Sequence, residues 1–318
     1  MQVGFNTIRF RVPRVELDPE KLLRRGWQTR GEEARGRKWY WTWVEPRIQV
    51  RYNPPDLLIK ASLPRLRYGV VTRIVPLREM AAALAELNQV LSEALECDLD
   101  ITNTALPTRT DFAYVWDVPD PQAFLRAACR AVDIPRTRRI RYPSGLTLLW
   151  FNKVRSLKLS DRSRDVSPEA PAKPLRLEVS VRGRERLARY MVPRQQMYRE
   201  FVIRRSKDDL LLRDLVRAHG AVGRDTMEHL TRYRLVGPAE FESQLRELCD
   251  QHGLQFKKMR DRLTEVAERG WASLEARLPA ATYRRFRRQA EEVGILPGET
   301  NFDFNFVKEE FEAAMRGG

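Results

Sequence analysis

Thr147-Leu148-Leu149-Trp150-Phe151-Asn152-Lys153-Val154-Arg155-Ser156-Leu157-Lys158-Leu159-Ser160-Asp161-Arg162 reads as two short strands joined by a polar turn. Cations occupy nearly every polar position of the second strand. Strand side chains alternate, so Lys158 and Ser160 are expected on one face. Outward from this hairpin, further strands are expected at about 138–142 and from Leu175 to Val181, with a helix from about Arg184. The stretch Ser163–Pro174, rich in Ser, Pro, Ala and charge, reads as a loop.

Toward the N-terminus the same grammar occurs twice. Phe5–Val12 alternates as a strand and is followed by Asp18-Pro19, an N-cap with proline at the first helical position. Thr108–Val118 is again a strand and leads to Asp120-Pro121. This repetition suggests two similar α+β halves. Between them, Trp39–Val44, Arg47–Tyr52 and Leu57–Leu63 read as antiparallel strands, with turns at Glu45-Pro46 and Asn53-Pro54-Pro55. Leu77, Met80, Leu84, Leu87, Leu91 and Leu95 then mark the core face of a long helix. Beyond about residue 190 the pattern is mainly helical, with breaks at Gly220–Gly223, Gly237-Pro238, Gly253, Pro279 and Pro297-Gly298. The expected fold class is α+β: an antiparallel-sheet domain over 1–190 and a helical domain over 191–318.

The chain has 318 residues, enough for a sizeable core. It carries a net charge of +15, the balance of a protein that meets a polyanion. Arginine supplies most of that charge, and its planar fork grips phosphate and stacks on bases. No apolar run is long enough to cross a membrane and no secretory leader is evident, so a cytoplasmic location is expected. Cys97, Cys129 and Cys249 are too scattered for a zinc ribbon or a disulfide framework and read as small hydrophobes. His219, His229 and His252 form no His-hydrophobe-His triad, which argues against the histidine-pair class of nucleases.

Several segments, taken in order, resemble the replication initiators of filamentous phages, the gene II family. They are Thr7-Ile8-Arg9-Phe10-Arg11-Val12-Pro13; Ile59–Leu66 with Tyr68-Gly69; Thr108-Arg109-Thr110-Asp111; the hairpin ending at Ser160; and Leu175–Arg182 with Leu187. Leu278-Pro279 through Tyr283–Phe286 to Gly294-Ile295 is similar to that family's C-terminal helix. The resemblance implies a nuclease-like sheet domain that binds double-stranded origin DNA and nicks one strand in a rolling-circle reaction. It also implies partners: the nicked single strand, a host polymerase that extends the 3′-OH, a host helicase, and a second copy of the protein on DNA. In the family the second hairpin strand ends in a Tyr-x-Lys triplet whose tyrosine is the nucleophile; here the triplet is Ser160-Asp161-Arg162.

The implied chemistry needs a nucleophile, a divalent metal on the phosphoryl oxygens and cations to hold the strand. By the resemblance, Ser160 fills the nucleophile slot, and Asp111 and Glu178 are candidates both for catalysis and for holding Mg²⁺ or Mn²⁺, since hard oxygen donors suit those ions. A serine hydroxyl is shorter and less acidic than a phenol, so Tyr142 or Tyr190 is an alternative nucleophile. The candidate DNA-binding residues are Lys60, Arg65, Arg109, Arg138, Arg139, Lys153, Arg155, Lys158 and Arg162. Asp111 has a plainer reading, a salt link to Arg109, and Glu178 is flanked by Arg176 and Arg182. The run Trp39-Tyr40-Trp41-Thr42-Trp43 reads either as a stacking surface for bases or as core. Two other functions compete: a nuclease-inactive origin-binding or regulatory protein of the same family, and a single-strand-binding protein built from tandem sheets.

Overall fold

The computed structural model describes residues 1–30, 40–166, 173–191 and 215–317. Its centre is an antiparallel sheet built from β1 (Gln2–Val12), β2 (Gln28–Arg30), β3 (Tyr40–Val44), β4 (Ile48–Asn53), β5 (Asp56–Ser62), β6 (Val75–Pro76), β7 (Leu106–Val118), β8 (Arg138–Arg141), β9 (Thr147–Phe151), β10 (Arg155–Asp161) and β11 (Lys173–Arg182). The strand order is β2-β3-β4-β5-β1-β7-β11-β10-β9-β8, with β6 pairing β1 beyond the end of β5. The fold is α+β.

The order makes the internal repeat visible. Each half opens on a long strand, β1 or β7, and passes through a helix capped by Asp-Pro. It then runs through a four-strand meander whose last strand returns to pair with the first. These helices are α1 (Pro19–Arg24) and α5 (Pro121–Ala131); Asp18 accepts from the Glu20 N–H and Asp120 from those of Gln122 and Ala123. The halves meet where β1 pairs antiparallel with β7. Helices α2 (Leu63–Tyr68) and α6 (Arg184–Met191) follow the returning strands, and α3 (Met80–Leu95) and the short α4 (Ile101–Thr104) complete the N-terminal half.

One face of the sheet is apolar. Phe5, Ile8 and Phe10 of β1, Phe112, Tyr114 and Trp116 of β7, and Leu157, Leu159, Leu175 and Leu177 of β10 and β11 are all essentially buried. Truncating any of these leucines to alanine is worth about 2–5 kcal/mol. Helices lie over this face, including α7 (Leu215–Leu230) and α12 (Asn305–Gly317), which packs on α7 and β1. The remaining helices are α8 (Pro238–Gln251), α9 (Phe256–Arg269), α10 (Trp271–Arg277) and α11 (Ala280–Val293). Among them sits a small parallel pair, β12 (Arg234–Val236) and β13 (Ile295–Pro297), which the sequence reading did not contain.

The boundary expected near residue 190 divides strand-rich from helix-rich sequence, but it does not divide two cores. One continuous hydrophobic core runs from Phe5 to Phe311. Phe124 of α5 packs edge-on against Phe302 and Phe304, and Tyr114 against Phe311. The His219 Nε2–H donates to the Gly4 carbonyl at 2.8 Å, and the Tyr114 hydroxyl donates to the His219 carbonyl at 3.3 Å. The sheet alone has nothing to bury its apolar face against, so the C-terminal helices supply the second layer.

A second correction concerns Gly220 and Gly223, expected as a break. Both lie inside α7. A Cβ at Gly223 would stand 2.3 Å from the Phe311 ring and 3.2 Å from that of Tyr114. These glycines let α7 approach its neighbours, and that contact outweighs their poor helix propensity. Gly237-Pro238, Gly253, Pro279 and Pro297-Gly298 do flank elements as expected. Trp39 lies outside the described residues; Trp43 stacks on the buried Trp27 with ring centroids 6.4 Å apart, which is core packing. The three cysteines are free, Cys249 buried and the others half-buried. Among the described residues, no helix is long and apolar enough to cross a membrane.

Two stability predictions follow from this packing. Gly223→Ala forces Phe311 to move and is expected to cost roughly 1–3 kcal/mol, read as a lower Tm. Burial lowers the His219 pKa from 6.5 to about 4. Between those values the unfolded chain binds a proton that the folded one does not. The contribution is therefore complete above about pH 6.5 and is lost as pH falls toward 4, a change of about 3 kcal/mol. Denaturant titrations from pH 7 to pH 4 are expected to show this loss, and His219→Gln to shallow it.

Candidate functional site

The face opposite the helices is polar, and its registers define it residue by residue, because directly paired residues share a face. One transverse row runs Gln49–Lys60–Arg9–Arg109–Arg182 across β4, β5, β1, β7 and β11. Four of these five side chains are cations standing side by side. Opposed like charges destabilise a sheet. Arg109 alone in this row has an ion-pair partner, Asp111; among the described residues Lys60, Arg9 and Arg182 have none. Burial lowers the Arg9 pKa, Arg109 and Arg182 lower it further, and Asp111 opposes them.

A second row runs Ile140–Leu149–Lys158–Glu178–Ala113–Gly4, and a third Thr147–Ser160–Arg176–Val115–Gln2. Between these rows and the β4–β5 end of the sheet lies an open trough. Its cations are Arg47, Lys60, Arg65, Lys158, Arg162 and Arg176, and its one carboxylate is Glu178. The Arg176 guanidinium donates to the carbonyls of Val71 and Thr72 at 2.9 and 3.3 Å, tying the segment after α2 onto this face. Burial lowers the Arg176 pKa; Glu178 counters that, and Arg162 adds like-charge repulsion.

The sequence-derived residues divide clearly. Lys60, Arg65, Lys158, Arg162 and Glu178 do line one trough. Arg109 lies in the cationic row. Arg138 and Lys153 are exposed toward the β8–β9–β10 border. Arg155 and Arg139 are corrections, because both side chains turn to the helical face. Arg155 pairs with Asp225 of α7 at 2.6 Å and donates to Thr226 at 2.9 Å. Arg139 donates to the Cys129 carbonyl of α5. The cause is strand alternation, since Arg155 and Arg139 are odd-numbered on strands whose polar side is even-numbered. Arg9, Arg47, Arg176 and Arg182 were missed as site residues; only the register puts them beside the others.

The three catalytic candidates share the face but not a point. Asp111 and Glu178 are diagonal neighbours, roughly 7–8 Å apart. Asp111 and Ser160 are separated by two strands and four residue positions, roughly 16 Å. Asp111 is 6% exposed. Arg109 holds its two oxygens at 2.8 and 3.0 Å, and the Ser180 hydroxyl donates to it at 2.5 Å. Glu178 is paired to Arg176 at 2.9 Å and accepts from the Asn6 amide at 2.8 Å. Each carboxylate thus has its own arginine, and among the described residues no group of three potential ligands gathers. A Mg²⁺ or Mn²⁺ ion between Asp111 and Glu178 would have to compete with Arg109 and Arg176 for these carboxylates.

Ser160 is buried, and its hydroxyl donates to the Arg176 carbonyl at 3.3 Å. Among the described residues no carboxylate or imidazole hydrogen-bonds to it, and a serine nucleophile needs such a base. Tyr190 is also committed. Its hydroxyl donates to Asp225 at 3.3 Å, and burial, outweighing Arg155, raises its pKa. Tyr142 differs from both: it is exposed, and its N–H donates to the Thr147 carbonyl at 3.1 Å, continuing the β8–β9 ladder. That register extends the third row to Tyr142–Thr147–Ser160, on the polar face.

Asp111→Asn is therefore expected to cost on the order of 3 kcal/mol by leaving Arg109 unpaired. Thermal melts would show that loss with and without Mg²⁺, and a metal-dependent difference between variant and parent would contradict it. No model of a known protein family matches the chain, and no curated protein does, so the functional reading rests on this geometry together with the motifs of the sequence.

Proposed function

We propose that this protein binds DNA through the polar face of its sheet, as a nuclease-inactive origin-binding or regulatory counterpart of the filamentous-phage replication initiators it resembles. The observation that carries the reading is the row Lys60–Arg9–Arg109–Arg182, four cations held abreast with one carboxylate partner among them. Such a row weakens the free protein and is relieved by a polyanion. The trough adds Arg65, Lys158 and Arg162 to the path of a phosphate chain. In this reading Glu178 and Asp111 orient arginines rather than hold a metal. The protein acts in the cytoplasm of a host cell, on duplex origin DNA, where further copies and the host replication machinery assemble.

Strand cleavage is the second reading, and one observation favours it: the exposed Tyr142 phenol shares a transverse row with Ser160, roughly 10 Å away. Supercoiled DNA incubated with Mg²⁺ or Mn²⁺ separates the two. Binding without open circles is the expected result. Open circles that disappear in Tyr142→Phe would replace the proposal with a tyrosine nickase, and open circles lost in Ser160→Ala would overturn the reading of Ser160.

Affinity for duplex DNA is expected to fall steeply with salt, roughly ten- to a thousandfold for a few-fold rise. Arg9→Ala, Arg182→Ala and Lys60→Ala should each weaken binding and reduce the log–log salt slope by about 1. Arg155→Ala should leave the slope alone and lower Tm, because its partner is Asp225. A salt-independent affinity would refute the proposal.

A further inference from the structure

Next to the basic trough the polar face changes character. On β8, β9 and the residue just past β8, Ile140, Tyr142, Leu149 and Phe151 face this side, with Arg138 paired to Phe151 and Thr147 between Tyr142 and Ser160. Ile140 and Leu149 are directly paired, and Leu149 pairs in turn with Lys158 at the trough border. Ile140 is 43% exposed and Tyr142 45%. A shelf of four apolar or aromatic side chains on the open side of a sheet carries a cost in water. It is not core: the helices lie on the opposite face, where Leu148 and Trp150 of the same strand are buried.

We infer that this shelf receives the bases of an unpaired nucleic-acid strand whose phosphates run along the adjoining cations. The inference rests on the proposed binding of DNA by the trough and adds to it a place for the bases of a strand separated from the duplex. Three observations carry it. The shelf and the trough are contiguous strands of one surface, Leu149 beside Lys158. Their chemistry is that of a polynucleotide divided lengthwise, with apolar faces on one side and anions on the other. Finally, a duplex turns its base faces inward, where Tyr142 and Phe151 cannot reach them, whereas an unpaired strand presents them. A ring that stacks on bases works equally well without its hydroxyl, which separates this role of Tyr142 from that of a nucleophile.

Fluorescence anisotropy with four labelled probes of equal length tests the inference: oligo-dT, oligo-rU, an abasic deoxyribose-phosphate oligomer and a DNA duplex, all at one salt concentration. The expected order is oligo-dT and oligo-rU tightest, with the duplex and the abasic strand, which engage the trough without the shelf, weaker. Tyr142→Ala should weaken oligo-dT roughly tenfold, leave the abasic strand unchanged, and be rescued by Tyr142→Phe. Ile140→Ser is a second variant at an exposed position; melting curves verify that both fold.

Oligo-rU matching oligo-dT assigns the shelf to either nucleic acid, and a large difference narrows it to one. An abasic strand that binds as tightly as oligo-dT overturns the shelf while leaving the trough intact. Absence of salt-sensitive binding to every probe overturns the trough as well. If Tyr142→Ala instead changes only the sedimentation behaviour of the protein, the shelf is a contact between copies and the inference fails.

Discussion

The antiparallel pairing of β1 with β7 is the constraint on which the rest depends. It fuses two meanders into one sheet, because each half brings its own long strand to the centre and closes on it from the outside. It also sets the electrostatics. Arg9 is directly opposite Arg109 only in this register, and a slip of one residue would send Phe5, Ile8 and Phe10 to the polar side. The apolar alternation of β1 and β7 is worth many kcal/mol in burial, whereas the repulsion of two half-exposed guanidinium groups is worth far less. The core therefore dictates the register, and the register dictates the crowding of charge.

The same comparison explains why the carboxylates are where they are. Asp111 is among the few acidic groups on the cationic side, and the sheet places it against Arg109 and Ser180, close enough to neutralise one member of the row. Glu178 does the same for Arg176, which is almost wholly buried and also reaches over to the Val71 and Thr72 carbonyls. Removing Glu178 strands a buried cation and removing Asp111 a half-buried one, so each acid serves as a counterion within the sheet.

Much of this was legible in the chain. Alternation located nine of the thirteen strands, most within one or two residues, but not the short β2, β6, β12 and β13, and the two Asp-Pro caps announced both helices and the repeat. The Asp111–Arg109 link and the shared face of Lys158 and Ser160 also followed from local pattern. What could not be read was anything that needs two strands at once. Arg9 and Arg182 are unremarkable alone and join the row only through β1–β7–β11 pairing. Arg155 and Arg139 looked like their neighbours, but alternation sends them to the helices, where Asp225 and the Cys129 carbonyl wait. The glycines of α7 misled because a helix interior tolerates glycine when a ring, here Phe311, must come close.

Among the described residues the sheet is open, so its outermost strand has a rim of N–H and C=O groups without ladder partners. At one end that strand is β8, Arg138-Arg139-Ile140-Arg141, all exposed. Three guanidinium groups spaced along so short a border repel an identical border on another molecule. Such a border disfavours the strand-by-strand growth into a ribbon that unguarded edges invite.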